Sequence, residues 1–380
     1  MNVRRTAWRR WSLVVLVAAL LVGVPAVVAA WPAPAPTGAD GDPAVLRDRV
    51  TASDDVAWSG TVESRGALSL PGIGVLSDVT TLLAGVTRLR AWYAAPDRSR
   101  TDLLSAVGER DRYVTPDGQA VWDYGANLLT LVGDDPTVRL PRPDDVLPPQ
   151  LARRLLSGTD PDDPVEALPA ERVAGVAAAG LRVRPADRDT TVEALDVWSD
   201  PASGLPVRVD VHARGAGSIE GGNPPALSTA FSSLETGPPD PDALTPRRAP
   251  GAGLARSPTS DLFGVLGRGP GGLPATLDGR GRERPERGFA ALGQYGTTLS
   301  QVIVVPLPSD IADTLVTGIG RAGSGATLAV PGGADGALLD SGLLTLAVVR
   351  DGDRAWALSG LVDPGVLERG AADLVDGGDT

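Results

Sequence analysis

Residues 87–132, TRLRAWYAAPDRSRTDLLSAVGERDRYVTPDGQAVWDYGANLLTLV, decide the fold class. Leu89 to Tyr93 has the two-residue alternation of a strand, and Pro96-Asp-Arg98 is a turn. Ser99–Val107 and Arg110–Val114 read as the next strands, followed by the turn Pro116-Asp-Gly118. Gln119–Tyr124 and Asn127–Val132 complete the run. Short apolar-alternating segments separated by turn chemistry at this spacing predict an antiparallel meander.

The pattern extends in both directions. Upstream, Val45, Leu46 and Val50 have helical spacing, and Val56, Trp58, Gly60 and Val62 alternate along a strand. Ala67–Gly74 is an apolar loop. Val75, Leu76, Val79, Leu82, Leu83 and Val86 then trace one face of a predicted helix. Downstream, Asp145–Ser157 reads as a helix carrying Leu151, Leu155 and Leu156. Strands are expected at Val173–Ala178, Gly180–Arg184, Val192–Trp198, Leu205–Ala213 and Leu227–Leu234.

Residues 44–236 are therefore expected to form a first domain. The stretch 237–257 holds Pro238, Pro239, Pro241, Pro246 and Pro250 and almost no large apolar residue, and it reads as a linker. A smaller α+β domain is expected over 258–376, with strands at Phe289–Tyr295, Leu299–Leu307, Leu338–Leu339, Leu343–Val349 and Ala355–Leu361. A helix is predicted at Asp310–Ile319. The final helix has Asp363 as N-cap, Pro364 at its first position, and Leu367, Ala371, Leu374 and Val375 on one face.

The N-terminus addresses the chain to a membrane. Arg4, Arg5, Arg9 and Arg10 precede an uncharged run from Ser12 to Trp31. At about 1.5 Å per helical residue this run reaches roughly 30 Å, the thickness of a bilayer core. Trp8, Trp11 and Trp31 stand where indoles favour the interface, and the arginines place the N-terminus inside. Residues 1–31 are thus expected to be a single-pass anchor, with 32–43 a Pro/Ala-rich stalk and the remainder outside the cytoplasm. A signal peptide cut before Trp31, releasing a secreted form, is the alternative, because Val28 and Ala30 are small residues ahead of that bond.

Composition closes most catalytic routes. The sequence contains neither lysine nor cysteine, which excludes a Walker-A loop, a Schiff base, a thiol nucleophile and Cys-ligated metal. Its one histidine, His212, lies inside a predicted strand, and no G-x-S-x-G elbow presents a serine. The acids of 134–135, 144–145, 160–163 and 240–242 sit beside prolines in turns, where carboxylates ordinarily satisfy backbone amides. The 160–163 group lacks the ligand spacing of an EF-hand, so no metal or other cofactor is expected. A hydrolase built on loop carboxylates is the residual enzymatic reading. The net charge of −12 becomes −12 − 4 = −16 without the four leading arginines, which argues against nucleic-acid binding.

What remains is apolar surface. If the helices lie loosely across one face of the sheet, Leu68, Leu70, Ile73, Leu82, Leu83, Trp92 and Trp122 would line a hydrophobic groove. For any one of them a place in the core is the alternative.

Several segments resemble a known group. Trp58-Ser-Gly-Thr-Val-Glu-Ser64, Arg90-Ala-Trp-Tyr-Ala-Ala-Pro-Asp-Arg98 and Gly108-Glu-Arg-Asp-Arg-Tyr113 are similar to segments of actinobacterial proteins of the MucB/RseB N-terminal, LolA/LolB-like family. So are Gly118-Gln-Ala-Val-Trp-Asp-Tyr124 and Val197-Trp-Ser-Asp-Pro-Ala-Ser-Gly-Leu-Pro-Val-Arg208. The resemblance covers roughly 44–236. It implies a LolA-like antiparallel half-barrel with helices in its concave face and a cavity for acyl chains of lipids or lipoproteins. The 258–376 segment is similar in size and element order to the second domain of MucB/RseB proteins, which bind the outer part of an anti-sigma factor. The expected function is accordingly non-enzymatic: a tethered binding protein for a lipid or acylated peptide that regulates an anti-sigma factor. The alternative is a LolA-like lipid or lipoprotein carrier working with an ABC transporter.

Overall fold

The computed structural model describes residues 42–68, 77–105, 108–134, 139–215, 224–259, 272–283, 292–322, 325–330 and 333–377. The hydrophobic run 12–31, and Leu70 and Ile73, lie outside them. Among the described residues no helix is long and apolar enough to cross a membrane.

The chain is mostly β, built on one large mixed sheet and a smaller second sheet. Strands β1 (Trp58–Ala67), β2 (Ala84–Ala95), β3 (Arg98–Ser105), β4 (Gly108–Thr115), β5 (Gly118–Asp123) and β6 (Leu128–Asp134) follow one another as hairpins. This is the meander that 87–132 predicts. Strands β7 (Val165–Val173), β8 (Val176–Val183), β9 (Val192–Ser199), β10 (Pro206–Ala213) and β11 (Leu227–Thr236) form a second meander. It joins the first through β11 against β1. Gly60 is needed at that seam, because a Cβ there would lie 2.3 Å from the Ser233 carbonyl oxygen and 3.1 Å from the Phe231 ring.

Helices α1 (Pro43–Thr51) and α3 (Pro148–Ser157) pack on β8–β11. Leu46 and Val50 of α1 and Leu151, Ala152, Leu155 and Leu156 of α3 meet Leu181, Val197, Val209 and Val211 in one core. The short helix α2 (Ser77–Leu83) covers β1 and β2 instead. Its neighbours Trp58, Leu89, Tyr93, Leu147 and Phe231 form a second core, centred on Trp58.

The remaining strands, β12 (Gly253–Thr259), β13 (Thr276–Leu277), β14 (Arg280–Glu283), β15 (Gly293–Tyr295), β16 (Val302–Pro306), β17 (Gly325–Ala329), β18 (Asp335–Asp340), β19 (Thr345–Asp351) and β20 (Arg354–Gly360), divide unequally. β12 returns to the large sheet and lies parallel to β6, while the others form a sheet of eight. Helix α4 (Ser309–Arg321) packs on β17–β20, and α5 (Pro364–Asp376) on β13, β19 and β20. The α5 N-cap is as read: the Asp363 carboxylate accepts from the Gly365 amide at 2.9 Å, with Pro364 first in the helix. The two sheets share core, since Leu299 and Leu343 pack into the α1–α3 cluster. They also share hydrogen bonds, among them Thr191 Oγ1 to the Leu343 carbonyl at 2.5 Å and the Asp363 amide to the Asp189 carbonyl at 2.8 Å.

Five local expectations are corrected. Val86 is not on the α2 face: β2 begins at Ala84, and Val86 pairs opposite Arg65 and is 56% exposed. Strand pairing here overrides the 3.6-residue pattern. Val173–Ala178 is not one strand, because Ala174 and Gly175 carry φ of 48° and 86° and form the hairpin turn between β7 and β8. Residues 165–173, where the sequence reading expects no strand, are a strand whose pairing shifts between Leu168 and Glu171, which accommodates Pro169. Gly180 does not break β8 but lies within it, where a Cβ would come 2.8 Å from the Trp198 ring nitrogen. The stretch read as a linker ends inside β12, which takes up the free edge of β6.

Candidate binding site

The site begins at the pairing of β1 with β2, where Trp58 stands opposite Tyr93 and Gly60 opposite Ala91. Trp58 stacks on Tyr93 at 5.8 Å between ring centres and meets Phe231 edge-on at 5.0 Å. The Tyr93 hydroxyl donates to the Asp54 carbonyl at 2.7 Å, tying the strand to the turn after α1. Across from them runs the start of α3, whose Leu151, Ala152 and Leu155 face β8–β11. Gln150 and Arg153, three residues apart, occupy the flank of the helix that borders the β2–β3 side.

Between these elements lies a cavity of about 340 Å³. Its walls include Trp58, Ala91, Tyr93, Val114 and Leu147 on the apolar side, with Gln150, Arg153, Asp54 and Asp144 on the polar side. That is the size and mixture of a small-ligand site. Arg153 Nη1 reaches the Ser53 carbonyl and hydroxyl at 3.3 and 3.4 Å, and the guanidinium lies 6.0 Å from the Tyr93 ring centre. Burial pulls the Arg153 pKa below its usual value, and burial likewise raises that of Tyr93.

The residues expected to line a groove fall in several places. Leu68 is buried in the core of α1 and α3, and Leu82 in the core around Trp58, while Leu83 is half-buried against both. Trp122 belongs to a third cluster with Tyr113, Ala120, Leu129 and Ala252. Trp92 alone borders the cavity; its ring carries the Arg100 guanidinium at 4.9 Å. The structure therefore does not bring the set to one surface, and Leu70 and Ile73 lie outside the described residues. The sequence reading missed Trp58, Gln150 and Arg153 as cavity residues. The spacing of Gln150 and Arg153 beside the apolar face was legible, but the strands that face them were not.

Elsewhere the polar groups form closed networks. Arg100 binds Asp102 at 2.6 Å and Asp111 at 2.7 Å, its planar guanidinium also lies 5.0 Å over Tyr113, and it donates to the Ala243 carbonyl at 3.4 Å. Arg90 pairs with Asp102 and Glu109. Burial, followed by the neighbouring Asp102 charge, pushes Asp111 up to about 7, and burial raises Asp102 as well. Carboxylate oxygens of Asp102, Glu109 and Asp111 lie within 4.8 Å of one another, but two guanidiniums already stand among them. This chemistry suits a shared proton more than a cation.

His212 is a strand residue, as read. Its Nε2 lies 3.0 Å from Asp196, which also takes two bonds from Arg182. The 160–163 acids serve their loop: Asp163 accepts from the Asp160 and Ala186 amides, and Asp160 from that of Asp162.

No family model matches the sequence, and no curated protein matches it. Solved structures do. One is MucB in complex with MucA(peri), at 17% identity over 87% of this chain and 97% of that one, with a TM-score of 0.46. Another is the MucA/MucB complex of Pseudomonas aeruginosa, with the same identity and coverage and a TM-score of 0.47. A LolA superfamily protein of Nitrosomonas europaea is 10% identical over 54% of this chain and 98% of that one, with a TM-score of 0.24. The chain is thus similar to MucB along most of its length and to LolA superfamily proteins over about half of it.

Proposed function

We propose that this chain is a non-enzymatic binding protein, tethered by its N-terminal segment and working outside the cytoplasm. Its cavity takes the apolar part of a lipid or acylated peptide, and its occupancy alters contact with a membrane partner of the anti-sigma type. The observation that carries the reading is the cavity between β2 and α3. It is walled by Trp58, Tyr93, Leu147 and Val114, and it lies where a helix covers the sheet. The hydrophobic run 12–31 and the resemblance of 44–236 to MucB/RseB proteins support the location and the partner.

Native mass spectrometry of the full chain isolated from its host tests the reading. A bound lipid of defined mass is expected, together with a rise in thermal stability when that lipid is added back. Val114→Trp, which fills the cavity from a half-buried strand position, is expected to abolish both effects while the chain still folds. Empty protein, with no stabilisation by lipids or acylated peptides, would remove the reading.

A further inference from the structure

Two residues of the cavity wall carry buried polar atoms without a hydrogen-bond partner, one a donor and one an acceptor, and a third carries a guanidinium held only by long hydrogen bonds. Trp58 is fully buried, and its Nε1–H meets no acceptor. Gln150 Oε1 is buried without a donor. Arg153 touches only Ser53 through Nη1, at 3.3 and 3.4 Å, whereas charge-assisted bonds ordinarily run about 2.7–2.9 Å. No carboxylate among the described residues is ion-paired with it. Its neighbours differ: Arg154 reaches Asp145 at 3.1 Å, and Arg100, on the same cavity, is spent on Asp102 and Asp111.

An unpaired guanidinium that gives up water is costly to bury, and so is an indole N–H without an acceptor. An oxyanion answers both at once, since a guanidinium presents its donors as a fork that matches carboxylate or phosphate oxygens. Contact between Arg153 and such an anion would also be strengthened by the apolar surroundings of Trp58, Tyr93 and Leu147.

We propose that Arg153 is the anion-recognising residue of this cavity, which takes an amphiphile by a carboxylate or phosphate oxygen while its apolar portion rests on Trp58, Leu147 and Val114. Trp58 Nε1 donates to the same head group, and Gln150 Oε1 accepts from a hydroxyl or amide beside it. The inference rests on the cavity being the ligand site.

Calorimetry on the full chain in zwitterionic nanodiscs, with empty nanodiscs as blank, separates the two ideas. The probes are decanoate, decyl phosphate, decanol and inorganic phosphate. Decanoate and decyl phosphate are expected to bind at least about tenfold more tightly than decanol, a difference of ~1.4 kcal/mol. Arg153→Gln is expected to erase that preference. Trp58→Phe, which keeps most of the ring and removes the N–H, is expected to reduce it in part. Thermal melts and circular dichroism establish that each variant is folded. Decanol binding as tightly as decanoate, or a preference that survives in folded Arg153→Gln, overturns the anion assignment while leaving the binding reading intact. Inorganic phosphate binding as well as decyl phosphate overturns the amphiphile. If no probe with a chain binds at all, the cavity itself is not the ligand site.

Discussion

Asp111 offers the most direct test of the ionic layer on β3 and β4. Its side chain is fully buried; Oδ2 accepts from Arg100 at 2.7 Å and from the Tyr113 hydroxyl at 3.4 Å, and Oδ1 has no partner. Burial and the adjacent Asp102 raise its pKa from 3.8 to about 7. The folded chain therefore keeps a proton that the unfolded chain releases near 3.8. The stability this proton confers is fully present below about pH 4 and is lost as pH rises through about 7. A gap of about three units corresponds to ~4 kcal/mol at about 1.36 kcal/mol per unit. That figure is an upper bound, because Asp102 shares the titration. Asp111→Asn has nearly the same shape and cannot ionise. Urea unfolding followed by tryptophan fluorescence should find it about 2–4 kcal/mol more stable than the parent near pH 8.5 and within about 1 kcal/mol of it near pH 4.5. A variant that is less stable than the parent near pH 8.5 would mean that Asp111 is ionised there and held by Arg100, and the reasoning would be wrong.

Three further outcomes follow from the packing. Leu82→Ala should cost about 2–5 kcal/mol of unfolding free energy without changing lipid affinity at temperatures where the chain is folded, since Leu82 lies in the Trp58 core and does not line the cavity. Gly60→Ala should destabilise by about 1–3 kcal/mol, read from the shift in urea midpoint, because its Cβ would collide with the Ser233 carbonyl. Thr191→Val removes the hydroxyl that bridges the two sheets to the Leu343 carbonyl. It should cost about 1–3 kcal/mol and speed amide exchange around 343–345 before the interior of β9 is affected.

How much of this could be read from the chain depended on how local the cause was. The turn Pro116-Asp-Gly118 and the cap Asp363-Pro364 act over three or four residues, and each produced the element it predicts. Val86 failed because helical and strand spacing compete over a short apolar run, and pairing with β1 decided it. β12 was illegible for a stronger reason. Gly253–Thr259 has no strand signature of its own and is ordered by β6, more than a hundred residues earlier in the chain. The cavity shows the same limit. Gln150 and Arg153 are neighbours on one helix, but Trp58 reaches them only because the sheet folds beneath α3. The expected groove residues are apolar, and Leu68, Leu82 and Trp122 are buried in cores instead of gathered on one surface. Sequence does not say which of several cores a buried leucine joins, and these joined three.

The parallel pairing of β12 with β6 bears on how the chain answers proteolysis. The 237–252 stretch leaves the large sheet at β11 and re-enters it at β12, and Arg100 holds it at Ala243 on the way. A protease that cuts there does not sever one sheet from the other. The new terminus before Gly253 stays zipped along β6, and Thr191 and Asp189 keep their grip on the far side. The nicked protein should run as two fragments in denaturant and as one particle without it, so cleavage at this site would mark the molecule without dismantling it.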